Sequence, residues 1–186
     1  MPFSDLAPVY QGPLLSIRQW EQPLRKGGSA TFERCTRPDT VAVIAFLDRD
    51  TILLTQERHP DQDTFFLDVP GGRVDPGEDH ATAARRELAE EAGYIAQDVL
   101  CWETVTYGGL IQFKQSIFIA KGLTATDYNA SHDPTEEIQL QQRPFEELYQ
   151  LSLKNGLRRS EVMLNVLRMR HDPEAQKRLE AFLSDT

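Results

Sequence analysis

The chain has 186 residues, 40% apolar and 26% charged, as in an ordinary soluble globular protein with room for one substantial core. Its formal net charge of −9 argues against a nucleic-acid-backbone binder, which needs a basic surface, but permits a small anionic substrate if a metal ion supplies local positive charge. Two cysteines without CxxC spacing, Cys35 and Cys101, argue against a disulfide framework or a thiolate zinc site, and no apolar run reaches the length of a membrane span.

The opening MPFSDLAPVY shows neither the basic nor the apolar region of a secretory leader, so a cytoplasmic protein is expected. Residues 9–20 and 30–36 read as short strands separated by Pro23 and the Gly27-Gly28 turn. Residues 41–47 (VAVIAFL) have the composition of a buried strand, and with the turn at 48–50 and residues 51–55 they predict a hairpin in the central sheet. Residues 65–69 form a further strand, stopped by Pro70-Gly71-Gly72. Over 80–92 the spacing of Ala81, Ala84, Leu88 and Ala92 predicts a helix, with Gly93 as its stop. Strands follow at 99–106 and 112–120, then a polar stretch at 124–137 and a short strand at 138–142. Helices are predicted at 146–153, 161–169 and 175–183. One central helix among mixed strands, with the other helices late, describes an α+β protein or α/β/α sandwich and not a regular βαβ series.

The informative run is GRVDPGEDHATAARRELAEEAGY. Gly72 is followed after five residues by Glu78, and after seven more by Arg86-Glu87-Leu88-Ala89-Glu90-Glu91-Ala92-Gly93-Tyr94. On a helix Glu87, Glu90 and Glu91 fall at i, i+3 and i+4 and share one face. Ala84, Leu88 and Ala92 make the adjoining apolar stripe that docks on a sheet. Three crowded carboxylates repel each other, and hard cations such as Mg2+ and Mn2+ favour such oxygen clusters. The glycines before the helix let a backbone carbonyl approach the same cluster. Arg86 faces another way, suited to pairing with Glu78.

This run resembles the Nudix box at every specified position, with Tyr94 where an aliphatic residue is more usual. The resemblance implies a Nudix fold, an α/β/α sandwich with a mixed sheet, over residues 39–186, and an N-terminal antiparallel β extension over 1–38 that forms a homodimer. It also implies Mg2+, or Mn2+ in its place, held by Glu87, Glu90, Glu91 and the Gly71 carbonyl, with Glu90 and Arg86 in the catalytic machinery. The reaction implied is substitution by water at phosphorus across a diphosphate linkage.

The flanks resemble the ADP-ribose pyrophosphatase and nucleoside-diphosphate-sugar branch. Residues 66–72 (FLDVPGG) stand where that branch ends a strand in E-L-P-A-G, with Asp68 for Glu and Gly71 for Ala. Residues 53–58 (LLTQER) stand where it carries Q-Y-R; Glu57 replaces the aromatic residue and only Arg58 is carried over. The implied substrate contacts are Arg58, Arg73, Arg18 and Tyr107, with Trp102 and Trp20 as further aromatic candidates. The implied general base is Glu136, in Asp133-Pro134-Thr135-Glu136-Glu137-Ile138, with Glu137 its rival. ADP-ribose, split to AMP and ribose 5-phosphate, is the leading substrate. The stretch Tyr107-Gly108-Gly109-Leu110-Ile111 lacks the proline common in dedicated ADP-ribose enzymes, which leaves other nucleotide sugars open. The alternatives are another nucleoside diphosphate derivative, a dinucleotide or a triphosphate, or a catalytically silent nucleotide sensor. His59, His80, His132 and His171 show no paired spacing, and Ser116 and Ser160 lack a nucleophile-elbow context, so the box carries the chemistry.

Overall fold

The computed structural model describes residues 6–126 and 137–184. Strands β1 (Tyr10–Gln11), β2 (Ser16–Pro23) and β3 (Ser29–Thr36) form an antiparallel meander. They are followed by β4 (Thr40–Ala45), β5 (Thr51–Arg58), β6 (Phe66–Asp68) and helix α1 (His80–Ala92). A long hairpin comes next, β7 (Tyr94–Gly108) with β8 (Ile111–Ala125), then β9 (Glu137–Pro144) and helices α2 (Phe145–Leu153), α3 (Ser160–His171) and α4 (Pro173–Leu183).

The alternation of side chains along β4 creates the layers. Residues 41–45 are all 0% exposed, so both faces of the strand are covered. Ala42, Ile44 and the following Phe46 join Ile52, Leu54, Ile117 and Ile119 in a core closed by α2, α3 and α4. Val41, Val43 and Ala45 join Leu53, Phe118 and Ala120 against Ala83, Ala84, Leu88 and Ala92 of α1. An α/β/α sandwich is the result, as the sequence pattern implied.

β8 is the axis of the larger sheet. It runs parallel to β4, antiparallel to β7 along most of its length, and parallel to β3 at Cys35↔Ile111 and Thr36↔Gln112. The N-terminal meander is therefore continuous with this mixed sheet. A second sheet has the order β6-β5-β9, antiparallel throughout.

The expected hairpin of residues 41–47 with 51–55 is corrected. The turn exists: the Asp48 carboxylate accepts from the N–H groups of Asp50 and Thr51, and Leu47 N–H donates to the Thr51 carbonyl. Beyond a single bridge at Phe46↔Ile52, however, the strands part into different sheets. A buried-strand composition shows that a segment is central but not which neighbour it takes, and here the long partners are distant in sequence. The β7–β8 hairpin is also longer than expected, because its polar ends extend past the apolar pattern; its register shifts between Cys101 and Glu103.

Candidate active site

β6 delivers the chain to a tight passage at Pro70-Gly71-Gly72 that runs beside β4. Val43 N–H donates to the Pro70 carbonyl (2.8 Å) and Val41 N–H to that of Gly72 (2.9 Å). Gly71 has φ 151°, and a Cβ there would overlap the Val41 carbonyl oxygen and lie 2.7 Å from Ala42 Cα. At Gly72 a Cβ would lie 2.5–2.6 Å from the Glu87 carboxylate. The two glycines thus let backbone lie on backbone and let a helix carboxylate lie on the turn.

α1 carries the acidic face. Its start is fixed by Asp79, whose carboxylate accepts from Ala81 N–H (2.9 Å) and Thr82 N–H (3.0 Å), and its end by Gly93 in the left-handed conformation. The apolar stripe of α1 buries on the sheet and carries Glu87 down with it, to 8% exposure. Arg86 pairs with Glu78 through two contacts, Nε to Oε1 (3.1 Å) and Nη2 to Oε2 (3.0 Å), the partner that its position suggested. Its Nη1 also donates to Glu87 and Glu90, each at 2.9 Å, and its Nη2 to the Arg73 carbonyl (2.8 Å). Glu91 turns from this group and accepts from Gly71 N–H (2.7 Å). The three helix glutamates do share one side of α1, but Arg86 draws two of them and the turn draws the third. As these side chains stand, no three acidic, histidine or cysteine groups among the described residues converge on one point.

Two further residues enter the site that the sequence did not single out. Glu57 of β5 is 5% exposed and accepts from Thr55 Oγ (2.5 Å). Arg159, in the link between α2 and α3, pairs with the fully buried Asp68 (2.9 Å) and donates to the carbonyls of Val69 (2.9 Å) and Gly71 (2.5 Å). Glu57 carried no signal of its own, since it shares its face of β5 with Thr51 and Thr55 as well as Leu53, a mixed polar pattern. Arg159 had none, because nothing local ties it to Asp68.

The electrostatics are those of buried carboxylates only partly offset by the arginines beside them. Burial pushes the carboxyls of Glu87 and Asp68 upward. That of Glu91 is held well above the ordinary carboxylate range by burial first and by the neighbouring Glu57 charge second. Arg159 is itself desolvated, yet Asp68, Glu91 and Glu57 outweigh this and raise its pKa. Glu78 is lowered, chiefly by its hydrogen bond to Arg86. Buried oxygen donors of this kind, with the Gly71 carbonyl beside them, match the chemistry of a hard divalent cation.

The helix glutamates, the Gly71-Gly72 turn, Glu57 and Arg159 border one cavity of about 750 Å3. Glu57, Glu87, Glu90 and Glu91 line it together with Arg37, Arg73, Arg86, Arg158 and Arg159. Of the expected substrate contacts, only Arg73 is among its lining residues. Arg58 lies on the outward side of β5, paired with Glu137 and over the Phe65 ring. Arg18 is engaged within the meander, with the Leu6 carbonyl (2.8 Å), Ser16 and Thr36. Tyr107 stacks on Phe113 (4.5 Å between centroids), and it is Phe113 that faces the cavity. Trp102 is a core residue, 7% exposed and bonded to Asn165. Glu137 opens β9 beside Arg58, while Glu136 lies outside the described residues.

The chain belongs to the Nudix family, the NUDIX domain matching residues 36–165, and is a Nudix hydrolase, a class that generally uses divalent metal ions. It is 24% identical over 160 residues to a methanol dehydrogenase activator of Bacillus methanolicus, covering 85% of this chain and 86% of that protein. To an ADP-ribose pyrophosphatase of Bacillus subtilis it is 23% identical over 151 residues, covering 81% of this chain and 77% of the relative. The fold is that of a solved ADP compounds hydrolase, with a TM-score of 0.74 at 20% identity over 91% of this chain and 92% of the other. No helix among the described residues is long and apolar enough to cross a membrane.

Proposed function

We propose that this Nudix hydrolase cleaves the diphosphate linkage of a nucleoside diphosphate sugar, with ADP-ribose, split to AMP and ribose 5-phosphate, the foremost substrate. The observation that carries the reading is the cavity in which the α1 carboxylates meet the Gly71-Gly72 turn beside a group of arginines. Its volume of about 750 Å3 accommodates a whole nucleotide sugar. The likeness to a relative named ADP-ribose pyrophosphatase supports the same substrate class.

Glu87, Glu90, Glu91 and the Gly71 carbonyl are the groups proposed to hold Mg2+, and the same oxygens suit Mn2+. A bound ion of this kind neutralises phosphate charge and lowers the pKa of the attacking water. Glu136 takes the water proton as the new O–P bond forms; the bridging P–O bond breaks and the leaving phosphate carries off the electron pair. Glu137 is the less favoured base because Arg58 already engages it. Arg86 holds Glu78, Glu87 and Glu90 in register with the turn, and Arg73 contacts substrate from the cavity rim.

Residues 1–38 are proposed to act as a dimer-forming extension and 39–186 as the hydrolase domain. Val9, Tyr10, Leu14, Leu15, Leu24 and Phe32 leave the extension with an apolar surface, and Leu14 reaches the cavity itself. The two free thiols suit a reducing cytoplasm.

The test is a panel of nucleoside diphosphate compounds with Mg2+, scored for monophosphate release. AMP released from ADP-ribose, and reduced at least about a hundredfold in Glu90→Gln and Glu91→Gln, is expected. Action on nucleoside triphosphates alone overturns the reading, and absence of any turnover points to a sensor.

A further inference from the structure

Alternation along β5 settles which of its side chains can meet a ligand. Glu57 points inward and Arg58 outward, where Glu137 and the Phe65 ring occupy it. The arginine that the sequence motif offers for phosphate is thus committed elsewhere, and the cavity receives its guanidiniums from two other places. Arg37, just beyond β3, lies 4.5 Å from the centroid of Phe113, which is itself stacked on Tyr107. Arg158, between α2 and α3, lies 4.8 Å from the centroid of Phe66 and donates to His59 Nε2 (2.6 Å). His59 in turn stacks on Phe66 with an interplanar angle of 7°.

Both guanidiniums are therefore seated on aromatic faces. Among the described residues neither forms an ion pair, although five acidic residues besides Glu91 line the same cavity: Glu57, Asp75, Glu87, Glu90 and Glu161. A guanidinium seated over a ring keeps N–H groups for forked contact with phosphate oxygens; Arg158 spends one of its own on His59 and keeps the others. The positive charges of the cavity also act on one another. The Arg37 pKa is lowered, by burial first and then by the charges of Arg158, Arg159 and Arg73. Like charges sharing one cavity are unfavourable until a multiply charged anion lies among them.

We propose that Arg158 and Arg37 form the phosphate-binding pair of this protein, gripping the non-bridging oxygens of a diphosphate, and that Arg58 takes no part. The proposal deepens the nucleotide-sugar reading and rests on it only for the identity of the ligand beyond its diphosphate.

Calorimetric titration with inorganic pyrophosphate and with ADP-ribose, both in EDTA so that only the protein's own cations act, separates the two ideas. Wild-type protein binds both; Arg158→Met and Arg37→Met each weaken both by about tenfold or more, and Arg158→Lys, which keeps the charge and loses the fork, falls between. Arg58→Met changes neither affinity by more than about twofold. Thermal melts of each variant confirm that the fold is retained, and Arg158→Lys serves should Arg158→Met fail to fold. Pyrophosphate that the wild type does not bind, or that the Arg158 and Arg37 variants bind unchanged, overturns the pair. Pyrophosphate binding that depends on the pair, with no ADP-ribose binding even by wild type, leaves the pair standing and overturns the nucleotide-sugar reading.

Discussion

Gly71 and Gly72 stand side by side and are needed for different reasons. A methyl group at Gly71 meets the Val41 carbonyl and Ala42 Cα, backbone of a fully buried strand that has nowhere to go, at a φ of 151° that side chains resist. Gly71→Ala should therefore cost on the order of 2–3 kcal/mol of folding stability, read by urea denaturation. At Gly72 the same methyl meets only the end of the Glu87 side chain, which can swing. Gly72→Ala should lose less than about 1 kcal/mol while turnover falls sharply, because the carboxylate it displaces is one proposed to hold metal. Equal destabilisation by both substitutions would show that the turn, and not the carboxylate, sets the requirement at Gly72. At this scale the box was legible because its chemistry demands glutamates at fixed intervals on one helix. Glu57 and Arg159 were not, because each acts through contacts with residues far along the chain, Arg159 with Asp68 and Glu57 beside Glu91.

Among the elements, α1 is the one whose limits could be read closely, since a capping aspartate and a left-handed glycine bracket it. The pairing of β4 and β5 could not, since both are apolar and adjacent and only their distant partners separate them. The cap has a pH signature. Asp79 is held below the usual carboxylate range, first by its hydrogen bond with the Thr82 side chain and then by backbone N–H groups. A depressed folded-state pKa contributes stability above the unfolded value and loses it as pH falls through the folded one. Asp79→Ala should accordingly lower Tm by about 2–4 °C at neutral pH, with the gap to wild type starting to narrow below about pH 4. A gap that does not narrow at all as the pH falls below about 4 would place the contribution of Asp79 elsewhere than in its ionised carboxylate. The same helix end is tied to the sheet by His80, which bridges Asp39 (3.1 Å) and Ser116 (2.6 Å).

On the scale of the whole molecule, the cavity is assembled from segments spread along the chain: the extension through Leu14, the loop after β3, the inward face of β5, α1, and the link between α2 and α3. The mixed sandwich follows from alternation that the sequence displays, whereas the arginines of that last link could be placed only by the fold. The apolar residues exposed on the extension predict a two-chain species. Sedimentation should give twice the chain mass of 21.2 kDa, and Phe32→Asp with Tyr10→Asp should halve it; a monomeric wild type would remove the dimer. One arrangement near the centre bears on how such an enzyme lives in a cell. Arg86 binds Glu78, Glu87 and Glu90 at once, so the acidic face of α1 carries its own counter-ion within the fold. If Glu87 and Glu90 hold the metal as proposed, loading would be an exchange of partners on a standing scaffold. Scarcity of the ion would then idle the enzyme pool without shrinking it, and its return would restore activity at the speed of diffusion, with no new synthesis.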